Sequence, residues 1–340
     1  MNPKDKNLLS SSSVSSISSL STESISPVSQ DNDEPVIVKE LLNIFNEMSD
    51  NYEDDRIIAI RIRKYLLDND IHQNEFFEML SRSQNTPRSI SFLAFLYCRG
   101  IGVAENKEKT FEVYQIAANM DDALAQNQLG WCYYYGIGTK VNYDKAFEWF
   151  QKSAKTYATG QGWLGVCYSR GHGVKQDYDE AFKWYKMAAD AGDQWGAFHV
   201  GHYYREGIAV ANPNQKEAVA YYRKSAEKQN ITGQYWLGYC YTEGIGVEKD
   251  EKQGFDWFKV AADQGSGFCQ FQVGCCYRDG IGVKKDCRKA SYWFQLAANE
   301  EPTFYYLGDF YQTGTGVVCD IHRALRLLRK AKESEHIALY

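Results

Sequence analysis

No stretch of this chain approaches the roughly 18 consecutive apolar residues that a membrane-spanning helix needs. Positive charge is also short. The formal net charge is −6 and the pI about 5.6, which argues against a general binder of nucleic acid or anionic membrane, since either would want a basic face. Only six prolines are spread over 340 residues, so proline-rich and collagen-like material is excluded. The first residues, "MNPKDKNLLSSSS", lack the apolar core of a secretory signal. The last, "HIALY", lack a lipidation motif. Nine cysteines, an odd number, without an export signal are expected as free thiols. Together these absences predict a cytoplasmic protein.

Hydrophobic residues make up 44 % of the chain and aromatics 15 %, with 25 tyrosines, enough for a sizeable core. Residues 1–34 do not contribute to it. "SSSVSSISSLSTESISPVSQDNDEP" is serine-rich and poor in large apolar side chains, so it cannot offset its ordering entropy and is expected to be a disordered tail. Ser26 precedes Pro27, a context for proline-directed phosphorylation. Residues 35–84 carry apolar side chains at helical spacing: Val38, Leu41, Leu42, Ile44 and Phe45, then Ile57, Ile58, Ile60, Ile62 and Leu66, then "NEFFEMLSRS". They predict a small helical cap with no visible chemistry.

From residue 86 a motif recurs: "CRGIGV", "YYGIGT", "SRGHGV", "REGIAV", "TEGIGV", "RDGIGV" and "QTGTGV". Its first glycines are Gly100, Gly136, Gly171, Gly207, Gly244, Gly280 and Gly314, spaced 34 to 37 residues apart. A period near 36 marks a repeat array. Alignment on that glycine exposes columns. Three residues earlier stands tyrosine in every copy, from Tyr97 to Tyr311. Six earlier stands a small residue: Ala94, then Gly130, Gly165, Gly201, Gly238, Gly274 and Gly308. Seven earlier is a branched aliphatic such as Leu129 or Leu237. About ten residues after the glycine comes another small residue, such as Ala146 or Ala290, followed by aromatic pairs such as Trp149-Phe150 and Trp257-Phe258.

Each copy therefore reads as helix, turn, helix. The first helix buries the aliphatic and the tyrosine on one face. The second buries the small residue and the aromatic pair. One copy cannot bury its apolar face alone, whereas stacked copies form a continuous core. The first glycine of each G-x-G ends the first helix at positive φ, and the second helps the loop cross over. A dinucleotide fingerprint would need a third glycine and a preceding strand, and neither is present.

The pattern A-x-x-x-L-G-x-x-Y-x-x-G-x-G-V followed by K-A-x-x-W-[YF]-x-x-A-A resembles the Sel-1-like repeat family, a relative of the tetratricopeptide repeats. "ALAQNQLGWCYYYGIGT" with "YDKAFEWFQKSA" carries it best. The resemblance covers residues 86–335, divided at about 88–121, 122–157, 158–192, 193–229, 230–265, 266–299 and 300–335. It implies an all-α fold, an α/α superhelix built as a right-handed solenoid, used as an adaptor or scaffold without catalysis or cofactor. The flanking segment is similar to what precedes such arrays in fungal signalling proteins with an upstream kinase domain. The chain has no kinase motifs, so only the adaptor part is implied. A regulatory subunit of one enzyme, of the protein kinase or chitin synthase type, is the alternative. Bacterial cysteine-rich relatives that bind β-lactams make a hydrolase the third reading.

Sharper motifs fare less well. "SAEK", Ser225 to Lys228, matches the S-x-x-K of penicillin-recognising enzymes, but the companion S-D-N and K-T-G motifs are missing. Ser225 also fills a slot held elsewhere by Ser153, Ala188, Ala261 and Ala297, a packing position. Cys132, Cys167, Cys240 and Cys276 share a column that Tyr203 and Phe310 fill in other copies, which reads as a core slot. Of the vicinal pair Cys275-Cys276, one is expected to be buried and the other to face a groove, without a bond between them. His199 and His202 lie three apart without H-E-x-x-H around them, so no metal is expected. The last copy, with Arg323, Arg326, Arg329 and Lys330, reads as a solvated cap, or alternatively as a basic dock for an acidic peptide.

Partner binding is expected on the face of the first helices opposite the buried aliphatic. At 100° per residue, positions 12, 9, 5 and 2 before the glycine point that way and line the concave surface. They hold Trp131, Tyr134, Trp195, Phe198, His202, Arg205, Tyr235, Tyr239, Phe268, Phe271 and Arg278. Tryptophan, tyrosine and arginine dominate binding hot spots. The expected partners are proteins that lay a peptide or helix in this groove, with no nucleic acid and no membrane insertion. For the tail, deletion of residues 1–34 should leave the helical circular dichroism and the denaturation midpoint of the array unchanged. A melted array after deletion contradicts that expectation.

Overall fold

The computed structural model describes residues 35–50, 55–83, 86–297 and 301–337. The serine-rich tail and its Ser26-Pro27 context lie outside the described residues. Among the described residues there are 17 α-helices and no strand, and they belong to two compact units that meet in sequence at Tyr157 and Ala158.

The first unit opens with α1 (Val36–Asp50), α2 (Asp55–Asp68) and α3 (Gln73–Arg82), then pairs α4 (Pro87–Arg99) with α5 (Lys107–Asn119) and α6 (Ala123–Tyr135) with α7 (Tyr143–Ser153). The second unit pairs α8 (Ala158–Arg170) with α9 (Tyr178–Asp190), α10 (Gln194–Glu206) with α11 (Gln215–Glu227), and α12 (Ile231–Glu243) with α13 (Glu251–Asp263). It continues with α14 (Gly267–Asp279) and α15 (Cys287–Leu296), and closes with α16 (Glu301–Thr313) and α17 (Ile321–Ile337). Each copy is the helix-turn-helix hairpin that the columns predict, and each hairpin packs on the next in its unit.

Within a hairpin, the tightest constraint is the small residue six before the turn. A Cβ built on Gly238 would meet the Phe258 ring at 2.9 Å, on Gly165 the Tyr185 ring at 2.5 Å, and on Gly274 the Phe294 ring at 2.5 Å. The glycine exists so that the first helix can lie flat on an aromatic ring of the second. That ring is the second member of each aromatic pair: Phe150, Tyr185, Tyr222, Phe258 and Phe294 are all buried. The expectation that both members are buried holds only in part. Trp149, Trp184 and Trp257 are half-buried, because adjacent residues on a helix are 100° apart and only one can face the partner helix.

Between hairpins, the turn itself is the joint. The first glycine caps the helix in the left-handed region, as Gly244 does at φ 72° with its N–H donating to the Cys240 carbonyl. The second glycine does more than help the loop cross. Gly246 has φ 71°, and a Cβ there would lie 2.2 Å from the carbonyl oxygen of Gln215, the first residue of the preceding copy's second helix. Gly138 meets Lys107, Gly282 meets Glu251 and Gly316 meets Cys287 in the same way. In the fourth copy Ala209 holds this place at φ 54°, a conformation that carries strain for any residue but glycine. Gly102 docks likewise on the carbonyl of Gln73, so α3 stands where a preceding second helix would be.

The tyrosine column completes the joint. Tyr133 packs edge-on to Phe111 at 5.3 Å and Tyr277 to Phe255 at 5.4 Å, each ring reaching the previous copy's second helix. Its backbone carbonyl accepts the N–H of an Asn or Asp in all seven copies, as Tyr241 does from Asp250 at 2.9 Å. That Asx side chain then caps the second helix, as Asp250 accepts from the Gln253 N–H. This column (Asn106, Asn142, Asp177, Asn214, Asp250, Asp286 and Asp320) follows the glycine by six or seven residues.

In the leading helices, Val38, Leu41, Phe45, Ile58, Ile62 and Leu66 are buried, and Phe45 stacks on Phe92 at 4.6 Å. Ile57 and Ile60 are exposed, against expectation, because Ile58, Ala59, Ile62 and Leu66 already occupy the inward face of α2.

Gly238→Leu should destabilise the second unit by about 1–3 kcal/mol, as overpacking of a close helix contact does. Urea denaturation reads it, and an unchanged midpoint contradicts the role given to the Phe258 ring.

Candidate partner-binding surface

In the second unit, α10 displays Trp195, Phe198, His202 and Arg205 as one stripe. Trp195 is half exposed. Its ring meets Phe198 edge-on at 6.2 Å, Phe198 stacks on His202 at 6.4 Å, and the Arg205 Nη2 lies 3.4 Å from the His202 Nδ1. On α12, Tyr235 and Tyr239 stack at 6.3 Å. Tyr235 reaches the next copy, where it meets the exposed Phe268 at 4.8 Å. These side chains, which the sequence assigns to one face, are thus brought together by contact.

Two assignments are corrected. Phe271 is buried, since its ring packs on Phe294 and Tyr306 at 5.6 Å each. Tyr134 is buried too, between Tyr135 at 4.9 Å and Tyr143 at 5.2 Å. A ring nine residues before the turn leans onto the second helix of its own hairpin. Phe198 does so in part against Tyr222, and Tyr235 against Phe258. Trp131, in the first unit, is half-buried and packs on Tyr135 at 5.2 Å.

The column eight before the turn, which no sequence pattern assigned to this face, also contributes to it. The Arg205 guanidinium covers the Trp236 ring at 3.7 Å, and Arg278 covers Tyr306 at 4.3 Å. Each arginine also pairs with the acid that follows it, Glu206 or Asp279, at 2.6 Å. The charge is neutralised where it stands, and what remains to a partner is a rigid, largely apolar surface of rings. The visible signal was an arginine two before one turn and an aromatic eight before the next.

His199 does not join this face. It stacks on Tyr185 at 4.4 Å, and burial pushes its pKa down to about 4. His202 is also lowered, by burial and by Arg205, so both rings are neutral at pH 7. Ser225 is fully buried and donates to the Gln194 carbonyl at 2.8 Å. The hydroxyl of the S-x-x-K match therefore ties α11 to the start of α10. Cys132, Cys167, Cys240 and Cys276 are buried free thiols, raised by burial to about 12, 12, 11 and 12, while Cys275 is partly exposed. Among the described residues no group of three or more His, Cys, Asp or Glu is placed to hold a metal, and no helix is long and apolar enough to cross a membrane.

The family model for the Sel1 repeat matches seven segments: 87–122, 123–155, 158–193, 196–230, 231–266, 267–301 and 305–336. The chain belongs to the Sel1 repeat family. Sel1 repeat proteins are typically non-enzymatic scaffolds that bind other proteins. Similar solved structures include c5321, a protective antigen of uropathogenic Escherichia coli with an SLR fold, at 28 % identity and a TM-score of 0.63. That match covers 76 % of this chain and 56 % of the antigen, so the chain spans little more than half of the antigen's length. A Sel1 repeat protein from Oxalobacter formigenes is also 28 % identical, with a TM-score of 0.59, covering 72 % of this chain and 96 % of that one. No curated protein matches the chain.

The Sel1 helix that carries the stripe is held by an unusual cap. Asp193, buried at the start of α10, accepts from the Gly196 N–H at 2.6 Å and from Thr159 at 3.3 Å. In the first unit the equivalent Asp122 faces Arg88 at 3.2 Å. Asp193 has a threonine there instead, and burial raises its pKa from 3.8 to about 6 despite the hydrogen bonds. Between these values the unfolded chain releases the proton first. Stability is therefore full below about pH 4, falls as pH rises towards 6, and stays lower above. Asn230 caps α12 at the same register, accepting from the Gly233 N–H at 2.8 Å, so asparagine fits. Asp193→Asn should match the native protein near pH 4 and exceed it in denaturation midpoint at pH 7. Equal midpoints at both pH values contradict the burial argument.

Proposed function

We propose that this Sel1 repeat protein is a non-enzymatic cytoplasmic scaffold in intracellular signalling. In this reading it holds an extended or helical segment of a partner protein against the first helices of its second unit. One observation carries the reading. At the position five before the turn, the seven copies have seven different residues: Phe95, Trp131, Val166, His202, Tyr239, Cys275 and Asp309. One position earlier, six copies have glycine. In the first copy Phe95 is buried against Phe45 of the leading helices, but in the second unit the position is partly or fully exposed from Val166 to Asp309, so the shared packing of those copies does not fix it. Yet it and its neighbours on the same face carry Trp195, His202, Arg205, Tyr239 and Phe268 rather than the short polar side chains that suit water. Their rings are already held by one another, which lowers the ordering entropy lost on binding.

The net charge of −6 supports a protein partner over nucleic acid. Action on a single enzyme, of the kinase or chitin synthase type, is the competing form of the same surface chemistry.

The experiment is quantitative affinity capture with mass spectrometry, using the native protein and a Trp195→Ala/His202→Ala/Tyr239→Ala variant. These side chains are partly or half exposed, so the variant should keep its helical circular dichroism. The expected result is several partners that bind the native protein and are lost by at least about tenfold from the variant, as loss of hot-spot side chains predicts. One stoichiometric enzyme, lost in the same way, selects the regulatory-subunit form. Capture undiminished by a folded variant removes this face from the function.

A further inference from the structure

The first unit contains a half-open cavity of about 520 Å³ that the partner face of the second unit does not account for. It lies between α2 and the first two repeats. On α2, Arg56, Ile60 and Arg63 are four and then three residues apart and so share one helical face. Opposite them stand Arg99 at the end of α4, Lys107 at the start of α5, and the half-buried Trp131.

The charge balance of this wall runs against that of the chain. The residues that line it include four cations, Arg56, Arg63, Arg99 and Lys107, and one acid, Glu105, and Arg99 is paired with Asp55 at 2.9 Å. Arg63 spends one N–H on the Arg99 carbonyl at 2.6 Å, which ties α2 to α4 and leaves the rest of its fork. Apolar surface lies beside the charge: Trp131, Ile137 and Ile60, the last 65 % exposed. This also gives Ile60, which the core leaves out, a place.

We propose that this cavity binds a phosphomonoester borne on a side chain of a partner protein. A phosphomonoester carries about −1.5 to −2 at pH 7 and three strong acceptor oxygens, which suits a wall that several cations line. Arginine forks suit its geometry. The apolar strip beside Trp131 takes the body of the phosphorylated side chain. This site is separate from the ring surface of the second unit, and neither reading requires the other.

The test is calorimetric titration of the full chain with phenyl phosphate and with O-phosphoserine, against benzoate as a carboxylate control. The two phosphate probes distinguish a tyrosine-type from a serine-type source. The expected result is saturable binding of at least one of them, with a Kd of about 1 mM or tighter for so small a ligand. It should be displaced by inorganic phosphate and weakened by salt. Lys107→Glu should weaken it at least about tenfold, by reversing one charge of the cluster. Lys107 is exposed and starts a helix, where glutamate is well tolerated, so this variant keeps its fold even if Arg63→Gln, which loses the tie to α4, does not. The proposal is overturned by no saturation up to about 10 mM, by binding unchanged in Lys107→Glu, or by benzoate binding as tightly as the phosphates. Lys107-dependent cosedimentation with phosphoinositide vesicles, without saturable binding of either probe, assigns the cavity to a lipid headgroup and also overturns it.

Discussion

A hydrogen atom where a side chain would be, pressed against an aromatic ring, sets the geometry of this protein. The Phe258 ring lies close enough to Gly238 that even a methyl group would strike it at 2.9 Å. Dispersion falls off steeply with separation, so this distance decides how much of the ring's face is in contact. It also fixes the rotation of the first helix. With Gly238 on the ring, Leu237 points into the core, and Tyr241 lies three residues on, where it reaches the neighbouring copy. Tyr239 is left on the far side. The candidate binding face is what remains of a helix whose other sides are already committed.

The joint between copies is a second close approach, of backbone to backbone. Gly246 rests on the Gln215 carbonyl in a conformation that only glycine takes without strain. Such a contact has no rotamers to relax, so the angle from one hairpin to the next is fixed within each unit. Ala209 is the exception, at φ 54°. It lies in the copy whose turn is one residue longer and whose first helix carries Trp195, Phe198, His202 and Arg205. Strain in repeat proteins is local, because each copy touches only its neighbours. The copy whose first helix carries this stripe also has the least ideal joint.

Most of the fold was legible because a repeat array is an alignment of itself. The Leu237, Gly238, Tyr241 and Gly244 columns separate core from turn without any coordinates. The role of Gly246 was not legible, since G-x-G reads the same whether its second glycine merely turns or also docks. The candidate face was legible in outline, but the depth of its side chains was not. A two-sided helical wheel divides inside from outside, but a helix in a stack has a third side towards the next copy. Phe271 and Tyr134 fell on the outer half of the wheel and are buried. Trp236 and Tyr306 fell between the halves and went unnoticed, although arginines cover both. The cationic cavity was missed for a different reason. Arg56, Arg63, Arg99 and Lys107 come from three helices and share no spacing that a periodic reading can detect.

The two surfaces handle charge in opposite ways. In the second unit, each arginine on the ring face has an acid beside it in sequence, Glu206 for Arg205 and Asp279 for Arg278. An arginine neutralised in this way acts mainly through its flat face, as a lid on an aromatic ring. Hydrogen bonding to Asp279 raises the Arg278 pKa still further, so that lid keeps its charge at any physiological pH. In the first unit the residues that line the cavity include four cations, Arg56, Arg63, Arg99 and Lys107, and one acid, Glu105. The ring face offers area and shape, and its affinity should depend little on salt. The cavity offers charge, and its affinity should fall steeply with salt.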